Sequence, residues 1–555
     1  MSSSSPRASL RSALSGPPGA IDGRSVPLCA LFLTTLLVGV VPIVALTTGL
    51  SILALVGVAG LLYATTLLVT ERVFAGLCAA VFVLVTFAAN VPLVELPVGG
   101  GGYTTPMLDV LLVDVVAVPF AGLLFWWLRS GRISVSFGRE RIAGYALAGF
   151  VGWSLLAALV ANGPSRPAGL FYVVVQLRYL LVFSVAAVAV RYTGIYSAVY
   201  SLGIAVVGHL AYAVAEIVNR GSFGLTYLGD SGGGPAPHFY IGPLQFEASL
   251  YAGGFAGTSR MLVGLLLLFF PVFVGIIVRR SAPWKLAAGV TLVCTTFLVR
   301  VARTDSGWMA FLLTALLTVV ALSALWFRAD TTDWTDRPGT SDYISGVGTT
   351  IGAIAFGFLL FSTRVTPSTP SDAGGSSGSS FSTGGPSSAG SDTRGGSEAV
   401  VQAINRVPFM QTANLSIRLQ QYVGAIDIAL QYPLFGIGGM NFPLVAESYG
   451  LPEPIAIHSL YLSVLAATGV PGVAFFLLAI GAVLVAASRA ALSPTNDRLF
   501  WMMIVCGIVG FCAYLFWVTA GDGVALLTFW TLAGAIIGAS RRQHRTVETG
   551  RSDAT

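Results

Sequence analysis

The sequence predicts an all-α polytopic membrane protein with about 12–14 transmembrane helices and a large outer loop that carries an amphipathic helix. Three observations carry this prediction. The 555 residues are 55% hydrophobic and 10% charged, with a mean hydropathy of +0.81, which lies outside the range of soluble domains. Apolar stretches long enough to cross a hydrocarbon core of ~30 Å recur with short polar breaks between them. Basic residues gather in alternate connections, the pattern that orients a chain in a bilayer.

The apolar stretches fall at 27–45, 49–69, 73–93, 107–128, 142–161, 169–190, 196–217, 259–278, 286–301, 307–327, 346–362, 462–487, 499–519 and 523–540. With the N-terminus inside, the inner connections hold Arg7, Arg11 and Arg24, then Arg129, Arg132, Arg139 and Arg141, then Arg279, Arg280 and Lys285, and last Arg541, Arg542 and Arg545. The short outer loops carry few basic residues. The net charge of +6 therefore reports topology: a multi-pass cell-membrane protein with both termini cytoplasmic.

In chain order, 1–26 reads as a Ser- and Pro-rich cytoplasmic tail whose following apolar run lacks a small-residue cleavage site and stays as the first span. Residues 27–362 form transmembrane helices 1–11, 363–458 a large extracytoplasmic loop, 459–540 helices 12–14, and 541–555 a second cytoplasmic tail. Within the loop, 367–399 are Ser, Gly, Thr, Pro and Asp almost throughout, the composition of a disordered tether. From 414 to 431 the composition changes. Leu419, Tyr422, Val423, Ile426 and Leu430 recur at helical spacing, so this stretch is expected to be an amphipathic helix over the membrane mouth. Pro433 ends it, and Gly436 and Gly438 follow in a turn whose backbone can approach a ligand closely. The five cysteines all lie in apolar stretches, so no disulfide framework is expected.

So apolar a chain offers few groups for chemistry. Arg418, on the interfacial helix, carries a planar fork suited to phosphate oxygens; the competing reading is a solvated or snorkelling arginine. His458, just before a span, has the type of side chain that takes a proton from a hydroxyl, although an interfacial histidine can also merely bond a loop carbonyl. Arg178 falls inside a span, where a lone charge is costly and faces a cavity or a partner; Glu216 and Asp114 are the candidate partners. Arg260, Arg300 and Arg303 collect at the outer ends of neighbouring spans, followed by Ser306, and convergent arginines suit a diphosphate. Arg303 pairing with Asp305 is the plainer alternative. Lys285, the chain's only lysine, is followed by Leu286, so no Walker A phosphate loop is present. No metal-ligand spacing is visible, and neither a metal nor another cofactor is expected.

Arg418, then Pro433-Leu434-Phe435-Gly436-Ile437-Gly438, then His458 before a span resembles the O-antigen ligase and O-antigen polymerase superfamily. The likeness is good over 410–487 and looser earlier, through Arg178, Gly257-Thr258-Ser259-Arg260 and Thr304-Asp305-Ser306. Ser459 stands where the family often has Asn, and Gly307 where it has Arg. The resemblance implies an inverting, metal-independent transfer of a glycan from a polyprenyl-diphosphate lipid to an acceptor hydroxyl on the outer face. His458 and Arg418 would be catalytic, with Arg178, Arg260, Arg300 and Arg303 on the diphosphate and Gly436, Gly438 and Ser306 nearby. The partners it implies are a lipid-linked oligosaccharide donor, a glycan, lipid or protein acceptor and the bilayer, with no nucleic acid. A transporter or lipid-linked oligosaccharide flippase fits the span count but not the long outer loop, and a non-catalytic scaffold of a polysaccharide export complex is a third reading.

The orientation has a direct test. A cysteine placed at Ser380 should react with an impermeant thiol reagent in intact cells, and one at Ser341 should not; the reverse pattern overturns the outer assignment of 363–458.

Overall fold

The computed structural model describes residues 24–95, 107–131, 138–219, 221–225, 228–230, 238–241, 244–247, 252–302, 305–329, 339–361, 413–451, 455–493, 497–518 and 523–540, with Ile133 and Val135 besides. The tether at 367–399, Arg303 and most of both tails lie outside the described residues. The described chain is overwhelmingly helical. The helices are α1 Ser25–Thr48, α2 Ile52–Val69, α3 Val73–Leu84, α4 Leu112–Arg129, α5 Arg141–Val160, α6 Arg166–Thr193, α7 Ile195–Val218 and α8 Ser259–Arg279. They continue as α9 Ala282–Val301, α10 Asp305–Ala329, α11 Thr340–Phe361, α12 Ala413–Gln431, α13 Leu460–Leu492, α14 Arg498–Trp517 and α15 Gly523–Ala539.

Among the described residues, 12 helices are long and apolar enough to cross a membrane, and Val73–Leu84 and Ala525–Ala539 are shorter apolar segments. The span expected at 73–93 is thus corrected: its helix stops at Leu84, and the chain runs on as a strand, β1 Asn90–Glu95, paired antiparallel with β2 Met107–Leu111. A second hairpin joins β3 His238–Ile241 to β4 Leu244–Glu247. Apolar composition made both ends of the first hairpin look like helix, because valine and leucine serve either period.

Helix starts follow local chemistry. Ser165, Thr258 and Ser459 each accept a backbone N–H three residues on, from Ala168 at 3.3 Å, Met261 at 3.2 Å and Leu462 at 3.4 Å, the N-cap bond that Ser, Thr and Asn make well. Ser459 therefore fulfils the capping role an Asn would take there. Within α1, Thr35–Val40 widens to a π turn just before Pro42, which has no N–H to continue the α ladder.

The bundle is organised around α8 and α15. Of the apolar window of α8, 89% is buried, against 17% for α2, so α8 is central and α2 faces lipid. The small-residue pair Gly534 and Gly538 lets α15 lie directly on α6, where added Cβ atoms would stand 2.1 Å from Phe183 O and 2.3 Å from Ala187 O. Such spacing is how membrane helices gain close packing where lipid supplies no hydrophobic drive.

The stretch from α12 to the start of α13 forms a small cap with its own core of Ala425, Ile428, Ile437, Phe442, Ala446, Leu451, Ile457 and Ala466. The two faces of α12 differ in burial. Ile426 and Leu430 are 46% and 74% exposed, and the buried face is Gln421, Gly424, Ala425 and Ile428. Gly424 lets α12 press on the 446–449 turn and Ile428 fills the cap core, while Ile426 and Leu430 point out of it.

A break in α13 docks this cap. Gly469 has φ +69°, a left-handed value that interrupts the helix before Pro471. The freed polar groups find partners outside the helix: Val470 N–H donates to Pro433 O at 2.8 Å, and Trp153 Nε1 donates to Thr468 O at 2.9 Å and to Leu434 O at 3.1 Å. Trp153 also stacks on Phe435, with centroids 5.1 Å apart.

Gly469→Ala should therefore destabilise by ~1–3 kcal/mol or more, because its Cβ adds strain at positive φ and would stand 2.5 Å from both Pro433 O and Leu434 O. A thermal melt in detergent reads the loss, and an unchanged midpoint would contradict the docking role of the break.

Candidate functional site at the mouth of α13

His458 sits half-buried immediately before α13, gripped by two consecutive residues of α12. Gln421 Oε1 accepts from the backbone N–H of His458 at 3.0 Å and lies 2.9 Å from its ring Nδ1. Tyr422 Oη donates to His458 O at 3.1 Å. This places Arg418, one helical turn before Gln421 and Tyr422, on the same side of the cap.

The electrostatics agree with that placement. Burial first, then the positive fields of Arg418 and of Arg260, hold the imidazole below its ordinary value of 6.5, at about 4. The ring is thus neutral at physiological pH. Two guanidiniums from different helices, α12 and the first turn of α8, reach it electrostatically. Among the described residues no carboxylate lies within ion-pair distance of either one.

Arg178 has a different setting. Its Nη1 meets Asp109 Oδ1 at 2.9 Å, its Nε meets Asp114 Oδ2 at 2.9 Å, and its Nη2 bonds the Asp109 carbonyl. Asp114 also accepts Leu111 N–H at 3.0 Å at the start of α4. Of the two partners expected, Asp114 is the one present; Glu216 instead accepts Gly254 N–H at 2.9 Å. The guanidinium edge is spent on tying α6 to β2 and α4, which leaves little of it for a diphosphate.

Gly436 and Gly438 are buried against protein as well. Gly436 has φ +60°, and a Cβ there would lie 2.2 Å from Ala466 O. Ile437 N–H donates to that same carbonyl at 2.9 Å. Asn441 completes the turn, accepting Ser165 N–H at 2.9 Å and donating to Ile437 O at 3.0 Å. Gly436 serves close approach to α13, and Gly438 packs against the Asn441 side chain beside α5.

Arg300 lies in the last turn of α9, and Ser306 is buried in the first turn of α10. No described contact joins either to His458, and Arg303 is outside the described residues. Gln421 was not among the residues singled out from the sequence. A glutamine amid Gly424, Ala425 and Ile428 at helical spacing was the available signal. A separate cavity of about 260 Å³, lined by Tyr196, Tyr200, Arg279, Arg280 and Asp497, is no rival. It lies at the far end of α8 from Arg260, a helix length or ~30 Å away, and Arg279 is paired with Asp497 at 3.2 Å.

Among the described residues no group of three His, Cys, Asp or Glu side chains is arranged to hold a metal ion. Comparison with protein families matches residues 290–477 to the family model described as O-Antigen ligase. The match runs from within α9 into α13 and takes in Arg300, Arg303, Ser306, Arg418, Gly436, Gly438 and His458, whereas Arg178 and Arg260 precede it. A search of the curated proteins finds no match.

The role of Arg178 is separable by charge. Arg178→Met alone strands two carboxylates and should destabilise by ~3–5 kcal/mol, whereas Arg178→Met with Asp109→Asn and Asp114→Asn should recover most of that in a thermal melt. Recovery of glycan transfer along with stability marks Arg178 as structural; transfer that stays lost in a stable triple variant returns it to the substrate.

Proposed function

From the match of residues 290–477 to the family model described as O-Antigen ligase, we propose that the chain moves a glycan from a polyprenyl-diphosphate lipid to an acceptor hydroxyl on the outer face of the cell membrane. The observation that supports this reading best is the convergence of Arg418 and Arg260 on a neutral His458 at the mouth of α13. Each group has work in a single displacement. The acceptor oxygen attacks the anomeric carbon from the face opposite the diphosphate, the carbon–oxygen bond to the diphosphate breaks, and configuration inverts. Arg418 and Arg260 take up the charge that develops on the leaving diphosphate, electrostatic stabilisation that needs no metal ion. His458 receives the hydroxyl proton.

The same fields time the base. With both guanidiniums unneutralised, a ring at about 4 is a poor base. A bound diphosphate cancels their charge and raises the imidazole toward its ordinary range, so proton removal becomes efficient when donor is in place. Positive charge that disfavours the imidazolium in the free protein thus protects against unproductive protonation. Both termini cytoplasmic and residues 363–458 outside complete the reading, with the basic inner connections as support.

Purified protein with a polyprenyl-diphosphate donor tests it. Arg418→Lys keeps charge but loses the planar fork, and should reduce kcat/KM strongly. His458→Ala should lower kcat by ~10²–10⁴-fold with a smaller change in donor binding. The acidic limb of kcat/KM should lie near 4, since protonation of the free protein's ring begins only there, and the limb of kcat should move upward, because the donor-bound ring is the more basic. Near-normal rates in both variants at equal expression, or limbs in the opposite order, would remove the pair from the mechanism.

A further inference from the structure

Gln421 decides which nitrogen of His458 faces the reaction. It lies on the buried side of α12 with no exposed surface, and its amide oxygen serves two positions of one residue, the backbone nitrogen of His458 at 3.0 Å and the ring Nδ1 at 2.9 Å. A backbone N–H can only donate. The amide atom it meets must therefore be the oxygen, and the main chain fixes which way Gln421 points. An amide oxygen cannot donate to Nδ1, so Nδ1 has to carry the proton. In a neutral ring the lone pair is then on Nε2.

The arrangement is more deliberate than a packing contact. The amide nitrogen of Gln421 is buried with no partner among the described residues, a desolvation cost that an apolar residue of the same shape would avoid. The next residue, Tyr422, holds the carbonyl of His458 at 3.1 Å. Both main-chain polar groups of His458 are thus fixed from α12, and its ring meets Gln421 Oε1 at Nδ1 as well as the carbonyl of Ala456.

We propose that Gln421 is the positioning residue that holds His458 as the Nδ1–H tautomer and presents the Nε2 lone pair to the acceptor hydroxyl. This rests on the reading of His458 as the base, but the tautomer itself does not. In the transfer step the hydroxyl proton passes to Nε2 as the acceptor oxygen bonds the anomeric carbon and the bond to the diphosphate breaks. The imidazolium keeps its Nδ1–H on Gln421 and returns the Nε2 proton to water. The charged groups that act on the ring are Arg418 from α12 and Arg260 from α8.

The chain has four histidines, few enough for selective ¹⁵N labelling of the full-length protein in nanodiscs, with His458→Ala to assign the signal. The wild-type spectrum should show a protonated Nδ1 and a bare Nε2. Gln421→Met, similar in length but with no acceptor, should populate the Nε2–H form and lower kcat roughly 10–10²-fold while donor KM changes less than about two-fold. Gln421→Glu keeps an acceptor oxygen, so it should retain the Nδ1–H form, and its negative charge should move the acidic limb of kcat/KM to higher pH.

A wild-type ring in the Nε2–H form overturns the proposal, as does an unchanged tautomer in Gln421→Met. If Gln421→Met does not fold, the wild-type and Gln421→Glu spectra decide, since both must show Nδ1–H. The expected tautomers together with normal transfer by His458→Ala would instead refute the base role of His458 and leave the positioning by Gln421 standing.

Discussion

The break at Gly469 is the constraint on which the rest of the architecture depends. A bilayer offers no water to a broken helix, so every N–H and C=O released by the left-handed turn must find protein. Here Pro433 O takes the N–H of Val470, and Trp153 bonds Thr468 O. The loop after α12 is thereby stitched into the bundle between α5 and α13. Because Leu460 to Thr468 is rigid helix, the same stitch sets where His458 stands.

From that anchor the cap acquires geometry it could not hold alone. Its core is eight buried residues, too few to order a segment of this length in water, and one of them, Ala466, belongs to α13. Close approach by Gly436 and the bonds of Asn441 to Ser165 and Ile437 add the remaining restraints. α12 then faces His458 at fixed register, with Gln421 beneath the ring, Tyr422 on its carbonyl and Arg418 a turn away. Arg260 arrives from α8, whose apolar window is 89% buried, so the two cations are set by separate rigid supports.

Burial explains why the arginines divide into two kinds. Arg178 sits among groups that are 11–17% exposed and is matched by two carboxylates, as a cation inside a span requires. Arg418 is half-buried and Arg260 exposed, and among the described residues neither has a carboxylate within ion-pair distance. The first kind ties α6 to β2 and α4.

Much of this was legible in the sequence. Composition and hydropathy determined the membrane class, because only long apolar helices satisfy their own backbone in lipid. The spans were visible for the same reason, as were the helix at Ala413–Gln431 and the motif residues Arg418, Gly436, Gly438 and His458. Contacts between elements were not legible. Which face of α12 is buried in the cap depended on Gly424, Ala425 and Ile428 meeting a partner surface, which the spacing of Ile426 and Leu430 does not reveal. The strands at 90–95 and 107–111 hid inside apolar runs that suit either backbone. The neighbours of the motif's glycines, Ala466 O at Gly436 and the Asn441 side chain at Gly438, became visible only in the packed structure. Tertiary structure alone brought Arg260 from a distant span to His458, matched Arg178 to Asp109 and Asp114, and turned Gln421 inward. A sequence records which groups a chain has, whereas burial and distance, which set their protonation and partners, exist only once the chain is packed.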